Sequence, residues 1–425
     1  MHQLLTRTAD AAAQHVFTKL YREAALAQAH AADEAMQCGA SLGALHGKVI
    51  SLKDNFDVAG ETTLAGALVC EGEPPALHDA PAVARLRSAG AIFIGKTNMS
   101  EFAFSGVGIN PHHGTPHNPC DPYTARVPGG SSAGAAVSVA LGLADAALGT
   151  DTGGSIRIPA ALCGLVGFKS TQLRIPRDGV MPLSRTLDTV GVIAPNLQAV
   201  LQVDGVLAQH ALPTTPVPLR GVKLALPTTL FFDDLQPEVA HAFERAVSKL
   251  SAAGAEVVEL TFSELADIAT LSLPGGFSPV EGFAAHHARI AKAPEKMDPR
   301  VAARMALGEG VSAADYLGLL DRRQAWIAQA HQTLQGFDAM VCPTVPLLAP
   351  ELAPLLGDDE AFFRVNRLLL RNPSAINYLD GCALSLPCQA PGELPVGLMV
   401  SCIGGQDARL AQVGLAIEAC LGTGC

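Results

Sequence analysis

GGSSAGAAVSVALGLADAALGTDTGGSIRIPAALCGLVGFKST, residues Gly129–Thr171, carries two glycine-framed serines, Ser131 and Ser155. From Ser132 to Leu148 the small residues Ala, Gly and Ser predominate, which predicts a helix packed closely against its neighbours. Serines in its first turn suit a helix start, Ser132 as the cap, and place Ser131 at its N-terminal edge. In TDTGGS, Gly153 and Gly154 have no side chain to block an approaching group. The backbone N–H groups of Thr152, Gly153, Gly154 and Ser155 can therefore converge on one oxygen atom.

Upstream, VISLKDNFDVAG reads as a short strand in which Val49, Ser51 and Lys53 alternate with Ile50 and Leu52. Lys53 is expected at the strand end, on the face opposite the two larger aliphatics. DAPAVARLRSAGAIFIGKTN gives a helix, a glycine stop and a β-branched strand, the rhythm of an α/β layer protein. Residues 8–38 are rich in Ala, Glu, Gln and Leu and predict one or two helices ending near Gly39. GVKLALP, a helix over Pro237–Ala253 and AEVVELTF repeat the rhythm, followed by a helical region from about 281 to 336. DAMVCPTVP and LPVGLMVSC read as returning strands, with Pro213–Pro218 and Pro346–Pro354 as surface connections.

Composition narrows the function. With 425 residues and 49% hydrophobic side chains the chain can bury a large core. A net charge of −11, with scattered Lys and Arg, offers no basic face for nucleic acid or an anionic membrane. The start lacks the apolar run of a signal peptide, and Ala133–Gly149 carries Asp145 and is too short to span a bilayer, so the expected location is the cytoplasm. Ten cysteines without a C-x-x-C pair indicate neither a disulfide framework nor a zinc site. His112, His113 and His117 cluster in a Pro-rich loop with only Cys120 as a further ligand type, so no metal is assigned.

Taken together, these segments resemble the amidase signature family, whose serine hydrolases cleave carboxamides with a Lys, a cis-peptide Ser and a nucleophilic Ser. GKTNMSEFAFSG, NPHHGTPHNP, VPGGSSAG, GTDTGGSIRIPAALCGLVGFK and DGVMPLSRTLDTVG all read like this family and stand in the right order. Ala133, Ser170 and Ser100 depart from the more usual Gly or Ser, Pro, and acid. The resemblance implies a cis Gly130–Ser131 peptide, Lys53 as base, Ser131 as relay and Ser155 as acyl-forming nucleophile. It also makes the amides of 152–155 the oxyanion hole, with Gly130, Ser132, Asp151 and Arg157 in support. It implies an α/β fold with a central mixed β-sheet flanked by helices, a single domain over 1–425. The core is expected at about 45–200 and 338–425, with about 200–335 covering the pocket. Neither a metal nor an organic cofactor is required, the partner is a small-molecule amide, and a homodimer is left open.

The chemistry sets its own conditions. Serine attacks an amide only with a base to take its proton and dipoles to hold the developing oxyanion. None of the thirteen histidines lies in either glycine-serine segment. A lysine base must be neutral, so Lys53 needs dry surroundings that lower its pKa. Gly130–Gly134 also fits the G-x-S-x-G nucleophile elbow centred on Ser132, but two prolines stand where the strand should precede it and no histidine follows His331. GLVGFKS fails the phosphate-loop spacing. Arg157 is expected to pair with Asp151 rather than with substrate. The segments Leu271–Phe283 and Phe362–Tyr378 are expected to build the pocket. Alternatives to a small-amide hydrolase are the glutaminase-like A subunit of a tRNA-dependent amidotransferase, an allophanate- or biuret-type ureide hydrolase, and a catalytically silent scaffold.

Overall fold

In the computed structural model, which describes residues 1–422, eleven short runs pair into one sheet. They are β1 (Phe17–Leu20), β2 (Val49–Lys53), β3 (Ile92–Thr97), β4 (Ala146–Asp151), β5 (Val166–Lys169) and β6 (Thr189–Ala194). β7 (Lys223–Pro227), β8 (Glu256–Leu260), β9 (Ala339–Pro343), β10 (Cys382–Pro387) and β11 (Gly397–Cys402) complete it. The order is β1-β3-β2-β4-β6-β5-β10-β11-β9-β7-β8. β2 runs parallel to both β3 and β4, and β7 to both β8 and β9, whereas the remaining pairs are antiparallel. The sheet is therefore mixed, as expected from the sequence.

Helices cover both faces, so the inner strands are buried at every position and lack a simple apolar–polar alternation. Ile50, Leu52, Leu148 and Val192 face a core shared with the helices Leu197–Ala208, Pro237–Ala252 and Asp407–Leu421. Val49, Ala147 and Ile193 face the opposite core, with the helices Ala133–Ala140 and Arg157–Leu162. Lys53 belongs to this second parity, so pleat geometry alone carries its side chain to the side where the serine segments lie. Ser51, two residues earlier, places Oγ 2.8 Å from Ser138 Oγ on the Ala133–Ala140 helix.

The close packing read from small residues holds at Gly134, where a Cβ would lie 2.3 Å from the carbonyl oxygen of Val16. The predicted helix over Ser132–Leu148 is too long, however. It ends at Ala140, and Ala146–Leu148 belong to β4. Gly142, with φ +63°, turns the chain, and a fully buried strand of Ala and Leu has no periodicity to separate it from a helix. Within residues 8–38 the helix Arg22–Gln37 is present, but Phe17–Leu20 forms β1, an edge strand paired with β3. Four residues with a weak burial pattern gave no strand signal. Pro346–Pro354 is partly internal, with Ala349 and Leu352 buried.

Candidate active site

Lys53 ends β2 with none of its side chain exposed. Its Nζ donates to Ser131 Oγ at 2.8 Å and to Thr150 Oγ1 at 2.7 Å. Thr150 is in place because β4 lies beside β2 in parallel register, with Leu52 opposite Leu148. Asn55 Nδ2 donates to the same Thr150 hydroxyl at 3.1 Å. Burial pulls the Lys53 ammonium from its ordinary 10.5 down to about 7, against the opposing pull of the Asp188 and Asp151 carboxylates.

The Gly130–Ser131 peptide is cis. Gly130 N donates to Gly106 O at 2.8 Å, and Ser131 O accepts from Ser100 N at 3.1 Å, so the loop is held from the β3 side. Ser132 occupies the N-cap position of the Ala133–Ala140 helix but does not cap it with its side chain. Its Oγ donates to Thr150 O at 3.4 Å, and its N–H donates to Ser155 O at 3.2 Å. That backbone bond ties the two serine segments together. Ser155 is 3% exposed and lines the main cavity.

Asp151 and Arg157 are both fully buried and paired, Arg157 Nε to Oδ2 at 3.0 Å and Nη2 to Oδ1 at 2.9 Å. Burial alone would raise the Asp151 carboxyl, but the Arg157 guanidinium holds it well below the usual carboxylate range. Asn377 closes the group, its Nδ2 donating to Asp151 Oδ1 at 2.9 Å and its Oδ1 accepting from Arg157 Nη2 at 2.6 Å. The carboxylate also accepts from Gly154 N at 2.8 Å and from Ile156 N at 3.2 Å. Gly154 therefore departs from the expectation of four free amides: its N–H is already committed to a buried anion. The amides of Thr152, Gly153 and Ser155 make no hydrogen bond within the described residues. At Gly154 φ is +119° and a Cβ would meet Pro373 Cβ at 2.5 Å, so this position admits only glycine.

Removing one charge of a buried pair leaves the other uncompensated. Asp151→Asn is therefore expected to lower stability by roughly 3–5 kcal/mol, read from urea unfolding midpoints. An unchanged midpoint would show that the pair has no such weight.

Above Ser155 lies a cavity of ≈ 720 Å³. Thr152, Gly153 and Ser155 form its polar floor, and Leu183, Leu187, Leu265 and Leu370 contribute apolar wall. Ser272, Gly275, Gly276, Ser278 and Pro279 come from one expected pocket segment, Phe363 through Tyr378 from the other. The latter is a single long helix, Asp359–Tyr378, whose Ser374 Oγ donates to Gly153 O at 3.2 Å.

The family model described as Amidase matches residues 1–411. The chain belongs to the amidase family. It is an amidohydrolase, acting on the C–N bond of an amide. It is 38% identical over 401 residues to the 2-amino-5-chloromuconic acid deaminase of Comamonas testosteroni, covering 93% of this chain and 86% of that one. It is 34% identical over 438 residues to the glutamyl-tRNA(Gln) amidotransferase A subunit of Moorella thermoacetica, covering 93% and 87%. A crystal structure of a protein described simply as an amidase superposes with a TM-score of 0.88 at 33% identity, over 98% of this chain and 94% of the other.

In this amidase, Lys53 and Ser131 are in direct contact, Ser155 is joined to them through backbone, and Asp151 and Arg157 buttress the glycine loop. His112 stands apart, its Nε2 3.7 Å from Glu101. Among the described residues no cluster of three or more His, Cys, Asp or Glu could hold a metal, and no helix is long and apolar enough to cross a membrane. Sequence reasoning missed Thr150 and Asn377. Thr150 was accessible by aligning β4 against β2, whereas Asn377, far along the chain, carried no local signal.

Proposed function

We propose that this amidase hydrolyses a small carboxamide through a Ser155 acyl-enzyme, with Lys53 as base and Ser131 as proton relay. The observation that carries the reading is the Lys53 ammonium: fully buried, held down to about 7 and bonded to Ser131 Oγ at 2.8 Å. A lysine so placed is neutral in a large fraction of molecules near pH 7 and can accept a proton. Ser155 Oγ attacks the carbonyl carbon as its proton passes to Ser131 Oγ, whose own proton passes to Lys53 Nζ. The oxyanion is taken by the free amides of Thr152, Gly153 and Ser155, each such donor being worth about 3 kcal/mol in a characterised hydrolase. The C–N bond breaks as the leaving nitrogen receives the proton back through Ser131. Water then attacks the ester by the same route in reverse, releasing the acid and free Ser155.

Asp188 supports the loop: Thr152 Oγ1 donates to it at 2.5 Å, and its second oxygen accepts from Leu183 N and Ser184 N. We place the acyl specificity in the segment from Leu265 to Leu307, which belongs to the proposed pocket-covering part of one domain, and in the Asp359–Tyr378 helix. Release of ammonia from a panel of aliphatic, aryl and ureide amides, with Ser155→Ala as the blank, tests the reading. No release above that blank from any of them would overturn it. The 34% identity to an amidotransferase A subunit favours a second reading, ammonia delivery from glutamine to a partner protein. Glutamine hydrolysis that appears only beside such a partner would select it.

A further inference from the structure

The cavity wall carries a charge that a plain amide does not call for. Arg304, Arg367 and Arg371 line it, and among the described residues no Asp, Glu, Lys or His does, in a chain of net charge −11. Arg304 is part-buried on the helix Pro299–Ala306. Its guanidinium lies 3.9 Å from the centroid of the Phe104 ring and donates to the Phe104 carbonyl, neither of which is a countercharge. Burial pulls this guanidinium down to about 10. Arg367 and Arg371 stand one turn apart on the Asp359–Tyr378 helix, on the face that also presents Phe363, Leu370 and Ser374. Arg371 donates only to neutral oxygens, Asn372 Oδ1 at 2.9 Å and Phe231 O at 3.3 Å.

Two contacts bring these cations to the same part of the cavity. Phe104 carries Arg304, and the next residues, Ser105 and Gly106, donate to Asn366 Oδ1 at 3.2 and 2.8 Å. Asn366 adjoins Arg367 in the chain. None of the three arginines belongs to an ion pair among the described residues. Arg304 is withdrawn from water without a countercharge, which is costly unless a ligand supplies one, whereas Arg371 is half-buried within the field of Asp233 and Asp234 and Arg367 is exposed; the planar fork of each matches a carboxylate.

We propose that the substrates are amides whose acyl group carries a carboxylate, held by Arg304 with Arg367 and Arg371 while the carboxamide lies at Ser155. The inference rests on the Ser155 reading above. Because no acidic side chain among the described residues lines the cavity, the acyl group should bear no ammonium beside the carboxylate.

The test compares ω-carbamoyl carboxylates with uncharged amides of equal chain length, and with glutamine, on the full-length enzyme. Charge-assisted hydrogen bonds of this kind correspond to a preference of roughly tenfold or more in kcat/KM for the best carboxylate over its neutral partner. Glutamine is expected to fall at least about tenfold below it. Arg304→Met should reduce the charged-to-neutral ratio by about tenfold, mainly through KM, with partial rescue by Arg304→Lys. Arg367→Met, at an exposed position, should lower the same ratio without endangering the fold. Neutral amides turned over as well as the carboxylates, glutamine as good a substrate, or a ratio unmoved in both methionine variants would each overturn the proposal. Ser155 that a fluorophosphonate fails to label overturns the catalytic reading instead, whereas labelled Ser155 with an unmoved ratio overturns this inference alone.

Discussion

Ser155→Ala is expected to lower kcat by on the order of 10⁶, to a residual rate that the oxyanion hole and substrate binding keep about 10³–10⁴ above the uncatalysed reaction. The side chain is 3% exposed on the cavity floor and makes no hydrogen bond among the described residues. What the fold uses at this position is its backbone, the carbonyl that accepts from Ser132 N, and alanine keeps that. Stability should therefore stay within about 0.5 kcal/mol, so activity is lost without loss of structure. Ser131→Ala differs in kind. It removes the bonded partner of Lys53 at 2.8 Å but leaves the nucleophile, and a loss of roughly 10²–10⁴ is expected, the range for a proton-transfer group. Fluorophosphonate labelling followed by mass spectrometry separates the two: Ser131→Ala labels slowly at Ser155, and Ser155→Ala does not label. Turnover by Ser155→Ala above a hundredth of the parent rate would place the nucleophile elsewhere.

The parts of the site that were legible in the sequence are local ones. Lys53 at a strand end, the glycine-serine loop and the Asp151–Arg157 pair are each set by neighbours a few residues away, where pleat parity and side-chain reach can be worked out directly. Gly154 was misjudged for the opposite reason. Its freedom from a side chain was visible, yet the commitment of its N–H to Asp151 depends on how the loop folds back on a charge three residues earlier. Ser132 was expected to cap its helix, but the nearer demand is Thr150 O across the site. β5, β6 and β10 drew no strand reading; both faces of each are buried, so alternation could not mark them, and the equally buried β3, β9 and β11 were legible on grounds other than alternation. The arginines of the cavity were hidden more deeply. Arg304 and Arg367 meet the same space through long-range ties, Phe104–Gly106 to Asn366 and Arg300 to Leu355 and Asp359.

Lys53→Met is expected to abolish catalysis and, near neutral pH, to raise stability. The two effects have one origin. Moving the Lys53 ammonium from 10.5 to about 7 is equivalent to about 5 kcal/mol of preference for the uncharged form, at about 1.4 kcal/mol per unit. A group whose folded-state pKa is depressed gives its full stability above its unfolded value and loses it as pH falls through the folded one. The parent enzyme should therefore gain stability from about pH 7 to about 10.5, and the advantage of Lys53→Met should be largest below about pH 7 and fade across that window. Part of the gain is offset because Ser131 and Thr150 lose a partner. The same shift fixes the rate profile. The base works unprotonated, so log kcat/KM should rise with a slope near one below about pH 7 and level off above it. Asp188, raised by burial to about 6, ionises within that limb and, by favouring the charged lysine, moves the midpoint upward rather than down. A profile flat from pH 6 to 9 on a good substrate, or a Lys53→Met enzyme that keeps a tenth of the parent rate, would remove Lys53 from the proton path. Residual activity in that variant with the alkaline limb intact would assign the titration to a different group.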